Sequence, residues 1–525
     1  MRELWQLSAS ELAVRIARAE VSSVEAVAAH IARIEAVDGD LNAVVCRRFE
    51  EALGEARAAD ERGAGKDPGA LHGVPMTVKD ELDLVGTPST FGIPSRLHDR
   101  PERDGTHVAR LRNAGAIVLG KTNVPQLMIY IESDNPLYGR TNNPWNLERT
   151  CGGSSGGEAA IIAAGGSPLG LGSDLGGSLR APAAFCGIVS LKPTSGRLEG
   201  TARVPWFAGQ RAIVSEEGPL ARTVADVALA LEIANGGRDP DVLPPRPLRD
   251  PKAVKIRKLR VGYYEHAGSF RAAPALARAA REAAELLEEL GARVVPFDPP
   301  RVDDAMDLFF GILSADGGQA AKELLGSNPR DPRVAELLST VSRSRRTLGA
   351  IEQLLALTGQ ASLRRIVRNY GFTGTAHYYR LVEAQRAYQH LFAVAMDAAA
   401  GGPLDLLVCP PIGLPALLHG ESANVLTAGA YAPLYNLLGY PAGTLPFTCV
   451  GEDEQRGRGR SLDRVENAAH RCERDSAGLP AGVQIAGRPW REDVVLAAMF
   501  ALEDVVREHD DFPHTPHTPA TPAAL

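Results

Sequence analysis

Apolar positions recur with two different periods along the first 240 residues. Between residues 8 and 37 they recur every three or four positions, which predicts two helices. Ser22 followed by Glu25 predicts a capping box at the start of the second helix. From about residue 70 to 240, short apolar runs alternate with helical periods, which predicts a mixed sheet covered by helices. The strand candidates are 73–79, 116–121 and 167–173, and the helix candidates are 105–114, 156–164 and 224–235.

The second half of the chain predicts a helical excursion followed by a return to the sheet. Residues 304–400 have only helical periods, with the longest candidate near 376–399, so we expect a helical cap over about 300–400. Strand-like runs lie on both sides of this cap, and a last helix follows them. The elements outside the cap are 258–264, 273–290, 292–298, 405–409, 443–448, 481–486 and 491–508.

Three segments outside these elements have the composition of loops. Residues 239–251 are rich in Pro, Asp and Arg, which indicates a surface linker. The charged stretch 451–477 separates two strand candidates, and we expect it to form a solvated lobe. The tail 513–525 is rich in Pro, Thr and His, and we expect it to be disordered. The remainder, 1–512, is expected to form one domain with its core at about 70–240.

Composition and charge argue against several classes of partner. The net charge of −7 provides no basic field, so no nucleic-acid partner is expected. The cysteines are scattered without a Cys-x-x-Cys pair, which argues against a zinc site and favours a reducing, cytoplasmic location. The N-terminus lacks the apolar core of a signal peptide, and no stretch approaches the roughly 18 apolar residues of a membrane span. No cofactor is expected.

A glycine-rich turn that ends at Ser178 is the first candidate for chemistry. Two glycines before this serine permit a tight turn whose successive N–H groups face one hollow. Such a hollow can hold the oxyanion of a tetrahedral intermediate. The alternative is an ordinary serine in a glycine turn at the end of a strand. The segment is not a Gly-x-Ser-x-Gly elbow, because Leu179 and Arg180 follow the serine.

Lys79 and Ser154 complete the set of groups that acyl transfer requires. Lys79 ends an apolar strand candidate, where burial would disfavour its charged form and leave an amine that acts as a base. The alternative is a strand-end lysine that is solvated or paired with Asp80. Ser154 lies in a run of Gly and Ser, which is either a linker or the place of a hydroxyl that relays a proton. Together these groups indicate a hydrolase.

In their order and spacing, these segments resemble the amidase signature family. The matching segments are 73–80, 152–160, 172–187 and 191–194. The resemblance implies an α/β fold with a central twisted mixed β-sheet, helices on both faces and a helical cap. It also implies a Ser–cis-Ser–Lys triad with Ser178 as nucleophile, Ser154 as the bridging serine in a cis peptide and Lys79 as base. The implied oxyanion hole consists of the N–H groups of Leu175, Gly176, Gly177 and Ser178.

Further segments are most similar to the fatty acid amide hydrolase branch of that family, namely 122–128, 135–145, 165–172 and 434–443. The resemblance implies hydrolysis of a small linear amide with an apolar or fatty acyl group, through an acyl-enzyme on Ser178. It assigns Met128 to the acyl pocket and makes Ser154 and Ser155 substrate contacts. The alternative is the glutamine-hydrolysing component of the tRNA-dependent glutaminyl or asparaginyl amidotransferase, which needs a partner protein. The segment after Thr194 departs from the pattern of that component.

Residues 341–370 combine basic and apolar positions. They contain six arginines and one acid, Glu352, with leucines between them. This pattern is typical of helices that lie on anionic membranes, and the region corresponds to the membrane-facing cap of the fatty acid branch. One interpretation is therefore weak peripheral membrane contact without strong anchorage; the alternative is a solvated helical surface over a core stripe. Dimers are common in the family, so a homodimer is a further expectation.

Overall fold

Within residues 2–63, 69–198, 209–235 and 246–519, which the computed structural model describes, the central element is a mixed sheet of eleven strands. Their order across the sheet is β1-β3-β2-β4-β6-β5-β10-β11-β9-β7-β8. β2 is parallel to β3 and β4, β7 is parallel to β8 and β9, and the other neighbours are antiparallel, which confirms the predicted mixed sheet. The strands are β1 (Val44–Arg47), β2 (Pro75–Lys79), β3 (Ile117–Thr122), β4 (Leu169–Asp174), β5 (Val189–Lys192), β6 (Glu216–Ala221), β7 (Arg260–Tyr263), β8 (Arg293–Pro296), β9 (Leu406–Cys409), β10 (Ala442–Cys449) and β11 (Pro480–Gly487).

Helices cover both faces of this sheet, as predicted. In β3, Ile117 and Leu119 pack under α2, α3, α5 and α6, whereas Val118 packs with α1, α4, α7, α8 and α17. Alternate residues of a strand point to opposite faces, so the two helix groups lie on opposite sides of the sheet. The helices of the described residues are α1 (Ala9–Ala17), α2 (Ser23–Leu41), α3 (Phe49–Arg62), α4 (Thr106–Asn113), α5 (Gly156–Ala163), α6 (Arg180–Cys186), α7 (Val224–Asn235), α8 (Pro274–Glu289), α9 (Val302–Leu313), α10 (Gln319–Leu325), α11 (Pro332–Val341), α12 (Arg345–Leu357), α13 (Ala361–Asn369), α14 (Thr375–Asp397), α15 (Tyr431–Leu438), α16 (Arg464–Glu473) and α17 (Glu492–Val506).

Local sequence signals account for individual helix starts and for the cap. The predicted capping box of α2 is present: the Ser22 Oγ accepts from the Glu25 N–H at 3.1 Å, and the Glu25 carboxylate accepts from the Ser22 N–H at 2.8 Å. The predicted cap consists of α9 to α14. Its own apolar cluster, which includes Leu338 and Tyr370, continues into Leu127 of the segment after β3. The cap is therefore packed directly on the loops that end the central strands.

The charged insertion 451–477 is not the solvated lobe that its composition predicted. Its helix α16 buries Val465 and Cys472 in a core cluster shared with α14 and α15. The guanidinium of Arg149, itself buried, donates to the carbonyls of Cys472 and Arg474. Most of the charge lies on the outer side of α16 and in the loop before it, while the inner side is apolar at helical spacing. The exception is Glu473, which is buried and pairs with Arg458.

The prediction of a disordered tail is wrong for residues 513–519. The His517 ring stacks on the Trp145 ring with centroids 4.2 Å apart. The backbone N–H of His517 donates to the Ala163 carbonyl at 2.7 Å. Residues 520–525 of the tail and 239–245 of the predicted linker lie outside the described residues. No helix in the described ranges has the length and apolar character that crossing a bilayer requires.

Candidate active site

Two loops and one strand end bring Lys79, Ser154 and Ser178 to one edge of the sheet. Lys79 is the last residue of β2, Ser154 lies just before α5, and Ser178 lies just before α6. The Lys79 Nζ donates to the Ser154 Oγ at 2.8 Å. The Ser155 N–H donates to the Ser178 carbonyl at 3.2 Å, which joins the two serine loops. Because β2 and β4 are parallel neighbours, the loops that follow them begin at the same edge.

The Gly/Ser run around Ser154 is a packed segment rather than a linker. The Gly153–Ser154 peptide bond is cis, in agreement with the family resemblance. Ser154 is 2% exposed, and a Cβ on Gly153 would lie 2.6 Å from the Glu132 backbone nitrogen. A residue larger than glycine would collide with fixed backbone there, so the run owes its composition to close packing.

Lys79 is completely buried, so the alternative of a solvated strand-end lysine is wrong. Its Nζ also donates to the Ser173 Oγ at 2.9 Å and lies 2.9 Å from the Glu81 Oε1. Asp80, the partner considered from the sequence, instead accepts from the N–H groups of Thr90 and Phe91. Sequence reasoning missed Glu81 and Ser173, although both lie inside or beside segments that it had singled out.

The loop at Ser178 is held by Asp174, which ends β4. One carboxylate oxygen accepts from the Gly177 N–H at 2.7 Å, and the other accepts from the Leu179 N–H at 3.1 Å. Arg180 donates to the same carboxylate through Nε and Nη2, each at 3.0 Å. Burial alone would raise the pKa of Asp174, but the Arg180 guanidinium holds that pKa well below its usual range. The carboxylate is therefore charged at neutral pH.

This arrangement changes the predicted oxyanion hole. Because the Gly177 N–H donates to Asp174, it is not available to an oxyanion. The N–H groups of Leu175, Gly176 and Ser178 have no hydrogen-bond acceptor among the described residues. Three of the four predicted donors are thus free to bind a developing negative charge.

Ser178 is partly exposed and faces a cavity of about 200 Å³. Met128 lines the same cavity, as the prediction of an acyl pocket requires, and Asp316 is its one charged lining residue in the described part of the chain. Neither Ser154 nor Ser155 is among the lining residues: the Ser155 side chain is fully buried and contacts the Ser173 backbone. The apolar lining residues are Met128, Ile129, Ile131, Leu175, Phe309, Phe310, Leu313, Ala321, Leu337, Leu338, Val341, Leu426 and Pro433.

One wall of the cavity has an unusual backbone. Leu127, Met128 and Tyr130 all have positive φ values, at 59°, 53° and 76°. Each such non-glycine residue costs on the order of 1–3 kcal/mol and persists only where its surroundings over-determine it. The Leu127 N–H donates to the Phe91 carbonyl, and the Tyr130 hydroxyl donates to the Arg333 carbonyl of the cap. Sequence patterns for this segment predicted no such conformation.

Comparison with known proteins agrees with this geometry. The Amidase family model matches residues 25–496. The chain belongs to the amidase signature family. This amidase is 35% identical over 446 residues to fatty-acid amide hydrolase 1 of Sus scrofa, which covers 83% of this chain and 76% of the relative. It is 32% identical over 522 residues to fatty acid amide hydrolase 1 of Caenorhabditis elegans, covering 96% and 89%. A solved fatty acid amide hydrolase matches with a TM-score of 0.81 and 28% identity, over 96% of this chain and 85% of that one.

Glutamyl-tRNA(Gln) amidotransferases are similar to this amidase at nearly the same level. The matching component of that enzyme from Moorella thermoacetica is 33% identical over 522 residues, covering 97% of this chain and 98% of the relative. Sequence identity alone therefore does not place this chain nearer to the fatty acid amide hydrolases than to the amidotransferase. The choice between them depends on the residues around Ser178.

A second buried acid, Glu158, lies beneath the strand that ends at Lys79. Glu158 in α5 accepts from the hydroxyls of Thr77 and Thr122, at 2.7 and 2.9 Å. Burial raises the pKa of Glu158 to about 8, although these hydrogen bonds oppose the shift. The side chain is therefore mostly a neutral carboxylic acid at pH 7. Within the described residues, no group of three or more His, Cys, Asp or Glu side chains could hold a metal ion.

We expect Asp174→Asn to lower the free energy of unfolding at pH 7 by about 3–5 kcal/mol, because it leaves the buried Arg180 without a counter-charge. Because the pKa of Asp174 is lowered in the folded protein, its carboxylate stabilises the fold at pH values above the usual carboxyl pKa. This stabilisation is lost as the pH falls below that value. The difference between the two proteins should therefore shrink in acid. Urea unfolding at pH 7 and at lower pH measures both effects.

A matched control is Asp397→Asn, which removes a carboxylate that is 57% exposed and pairs with Arg488. This change should cost less than about 1 kcal/mol. Equal losses in the two variants would contradict a special role for the pair of Asp174 and Arg180.

Proposed function

We propose that this amidase hydrolyses linear carboxylic amides with an apolar acyl group through an acyl-enzyme on Ser178. The observation that carries the proposal is the position of Ser178 between two environments. On one side its loop contacts the loop of Ser154, whose hydroxyl accepts from the buried Lys79. On the other side it faces an apolar cavity. A nucleophile at this boundary can react with an acyl group while its proton leaves toward the interior.

In the acylation step, the Ser178 Oγ attacks the amide carbonyl carbon. The Ser178 proton passes to the Ser154 Oγ as the Ser154 proton passes to the Lys79 Nζ, which accepts it as a neutral amine. The carbonyl oxygen becomes an oxyanion, and the N–H groups of Leu175, Gly176 and Ser178 stabilise it. The Asp174 carboxylate keeps this loop in one conformation by binding the N–H groups on either side of Ser178.

The same relay then works in reverse. The proton on Lys79 returns through Ser154 to the leaving nitrogen, the carbon–nitrogen bond breaks, and the amine departs. The acyl group remains as an ester on Ser178. Water attacks this ester and gives its proton to the relay, which passes it back to the Ser178 oxygen as the carboxylic acid leaves.

The cavity supports an acyl group larger than acetyl. An apolar cavity of about 150 Å³ is sufficient to hold benzene, and the cavity at Ser178 has about 200 Å³. A cavity of this size has room for an aromatic ring or a medium-length aliphatic chain, and Met128 is part of its wall. Burial of each methylene in such a wall contributes about 0.8 kcal/mol.

The same cavity argues against the amidotransferase alternative. Free glutamine has an α-carboxylate and an α-ammonium that must both leave water, and burial of a charge is costly without a partner. In the part of the chain that the structure describes, the lining contains no Lys or Arg to pair with the α-carboxylate. An apolar amide meets no such penalty, which supports the hydrolase over the amidotransferase.

The proposed roles of the triad predict two distinct losses. Ser178→Ala should abolish both amide hydrolysis and covalent labelling by a fluorophosphonate, because the nucleophile is gone. Lys79→Ala should lower kcat/KM by about 100- to 10,000-fold, since the relay then has no base. Exposed Lys252 provides the control, and Lys252→Ala should leave the rate unchanged. Labelling of Ser178→Ala at the wild-type level would refute the assignment of the nucleophile.

The proposed acyl pocket predicts a dependence on chain length. From acetamide to octanamide, kcat/KM should rise by roughly fourfold per methylene until the cavity is full. Met128→Ala should flatten this rise and leave acetamide hydrolysis unchanged, which makes acetamide the internal control. A preference for acetamide over longer amides would remove the apolar acyl group from the proposal. Release of ammonia from L-glutamine that is faster than from any of these amides would favour the amidotransferase instead.

We also propose that the cap contacts anionic membranes through residues 341–370. Leu354 and Leu357 of α12 are 61% and 86% exposed, although both are apolar. Arg343, Arg345 and Arg346, at the start of the same helix and before it, are exposed as well. Apolar side chains beside cationic ones are the composition of helices that lie in the headgroup region.

We therefore expect the protein to float with anionic liposomes and to float less with neutral ones. The double change Leu354→Gln and Leu357→Gln should abolish co-flotation and preserve hydrolysis of soluble amides. Val14→Gln, which replaces a half-exposed apolar residue of α1, is the matched control and should still float. If the wild-type protein does not co-float with anionic liposomes, membrane contact is contradicted. The remaining interpretation of residues 341–370 is then a solvated helical surface.

A further inference from the structure

The relay of Ser178, Ser154 and Lys79 continues to a fourth side chain, Glu81. The Glu81 Oε1 lies 2.9 Å from the Lys79 Nζ, and the two side chains are 2% and 0% exposed. The Ser173 hydroxyl contacts both of them, since it accepts from Lys79 and donates to Glu81. A turn closed by the Leu82 N–H and the Lys79 carbonyl, at 3.0 Å, brings Glu81 back beside the strand end.

Because both side chains are buried, the contact between Glu81 and Lys79 affects how costly a charge on Lys79 is. When Lys79 accepts a proton it becomes an ammonium in the protein interior, where an unpaired charge is strongly disfavoured. A carboxylate in contact with the Nζ converts the isolated charge into a hydrogen-bonded ion pair. The second oxygen of Glu81 has no hydrogen-bond partner among the described residues, so the main polar contacts of this carboxylate are to Lys79 and Ser173.

The other charged groups near Lys79 are held by different partners. Glu158, beneath the strand, is bound by Thr77 and Thr122 and is mostly neutral at pH 7. Asp80 points to Thr90 and Phe91 on the opposite side of the turn. The Lys121 Nζ donates to the Pro88 carbonyl and the Ser89 hydroxyl. Among the described residues, Glu81 is therefore the carboxylate that contacts the Lys79 amine.

We propose that Glu81 is a positioning residue that orients the Lys79 amine toward Ser154 and stabilises the ammonium formed in each half of the reaction. This inference rests on the proposed function of Lys79 as the base. Glu81 neither gains nor loses a proton: the proton moves from Ser178 through Ser154 to Lys79 and returns to the leaving amine. The arrangement corresponds to the role of the acid that orients and stabilises a histidine base in serine hydrolases.

The test is Glu81→Gln, which keeps the shape of the side chain and removes its charge. We expect kcat to fall at least about tenfold with KM little changed, because the lost interaction acts on the charged form of the base. Without the carboxylate, the protonated amine is less favoured, so the amine remains unprotonated and able to act as the base down to a lower pH. The acidic limb of the pH–rate profile should therefore move to lower pH by about 1–3 units.

Two further variants make the result decisive. Glu81→Asp keeps the charge and should retain most of the wild-type position of the acidic limb. If Glu81→Gln does not fold, a limb that moves to lower pH by more than about one unit in Glu81→Asp would contradict the role of the charge. Glu503→Gln removes another buried carboxylate, in α17, and should not move the limb. A fall in activity with an unmoved limb, or an unchanged profile in Glu81→Gln, would overturn the proposal.

The failure of this proposal differs from a failure of the proposed function. If wild type hydrolyses no amide and Ser178 is not labelled by a fluorophosphonate, the proposed function fails and Glu81 has no base to orient. If wild type is active and loses activity in Lys79→Ala, but Glu81→Gln behaves as wild type, the function stands and the role of Glu81 is refuted.

Discussion

The contact between the Lys79 amine and the Ser154 hydroxyl sets the conditions that the surrounding structure must meet. It requires a lysine at the end of a central strand, completely buried and within 2.8 Å of a second loop. Ionised groups are costly in such a place unless other polar groups compensate them. Ser173 and Glu81 supply that compensation, and the first comes from the neighbouring parallel strand. The polar side of the site is therefore built from two neighbouring strand ends and the packed segments beside them.

The glycines near Ser178 permit a sharp turn, but they do not select one conformation. Selection comes from Asp174, whose carboxylate binds the backbone on both sides of Ser178 and is itself bound by Arg180. Arg180 in turn donates to Asn436 and Gln484, in α15 and β11. A chain of buried hydrogen bonds thus transmits the rigidity of the sheet to a loop that its own sequence would leave flexible.

Features that depend on local periodicity were predictable, and features that depend on distant partners were not. The capping box at Ser22 and the helices of the cap follow from short-range spacing. The packed tail depends on the distant Trp145, and no local pattern contains that contact. Choosing Glu81 rather than Asp80 as the partner of Lys79 required the direction of a turn, which neighbouring residues do not specify. The prediction for the insertion 451–477 failed for another reason. Its high total charge suggested a solvated segment, although one side of its helix is apolar.

Ser178 separates two regions that hold their shape by different means. The side at Lys79 consists of buried polar side chains within hydrogen-bond distance of one another, which tolerate little variation. The cavity side consists of apolar surface from the cap and from the strained segment around Met128, where size and shape set the interaction. The two sides also meet beside Ser154, because a Cβ on Gly153 would lie 2.8 Å from the Tyr130 carbonyl oxygen and 3.0 Å from the Ile131 carbonyl carbon of the cavity wall. The backbone strain at Leu127 to Tyr130 is then a cost of cavity shape, and it is held in a segment that packs against the loop of Ser154.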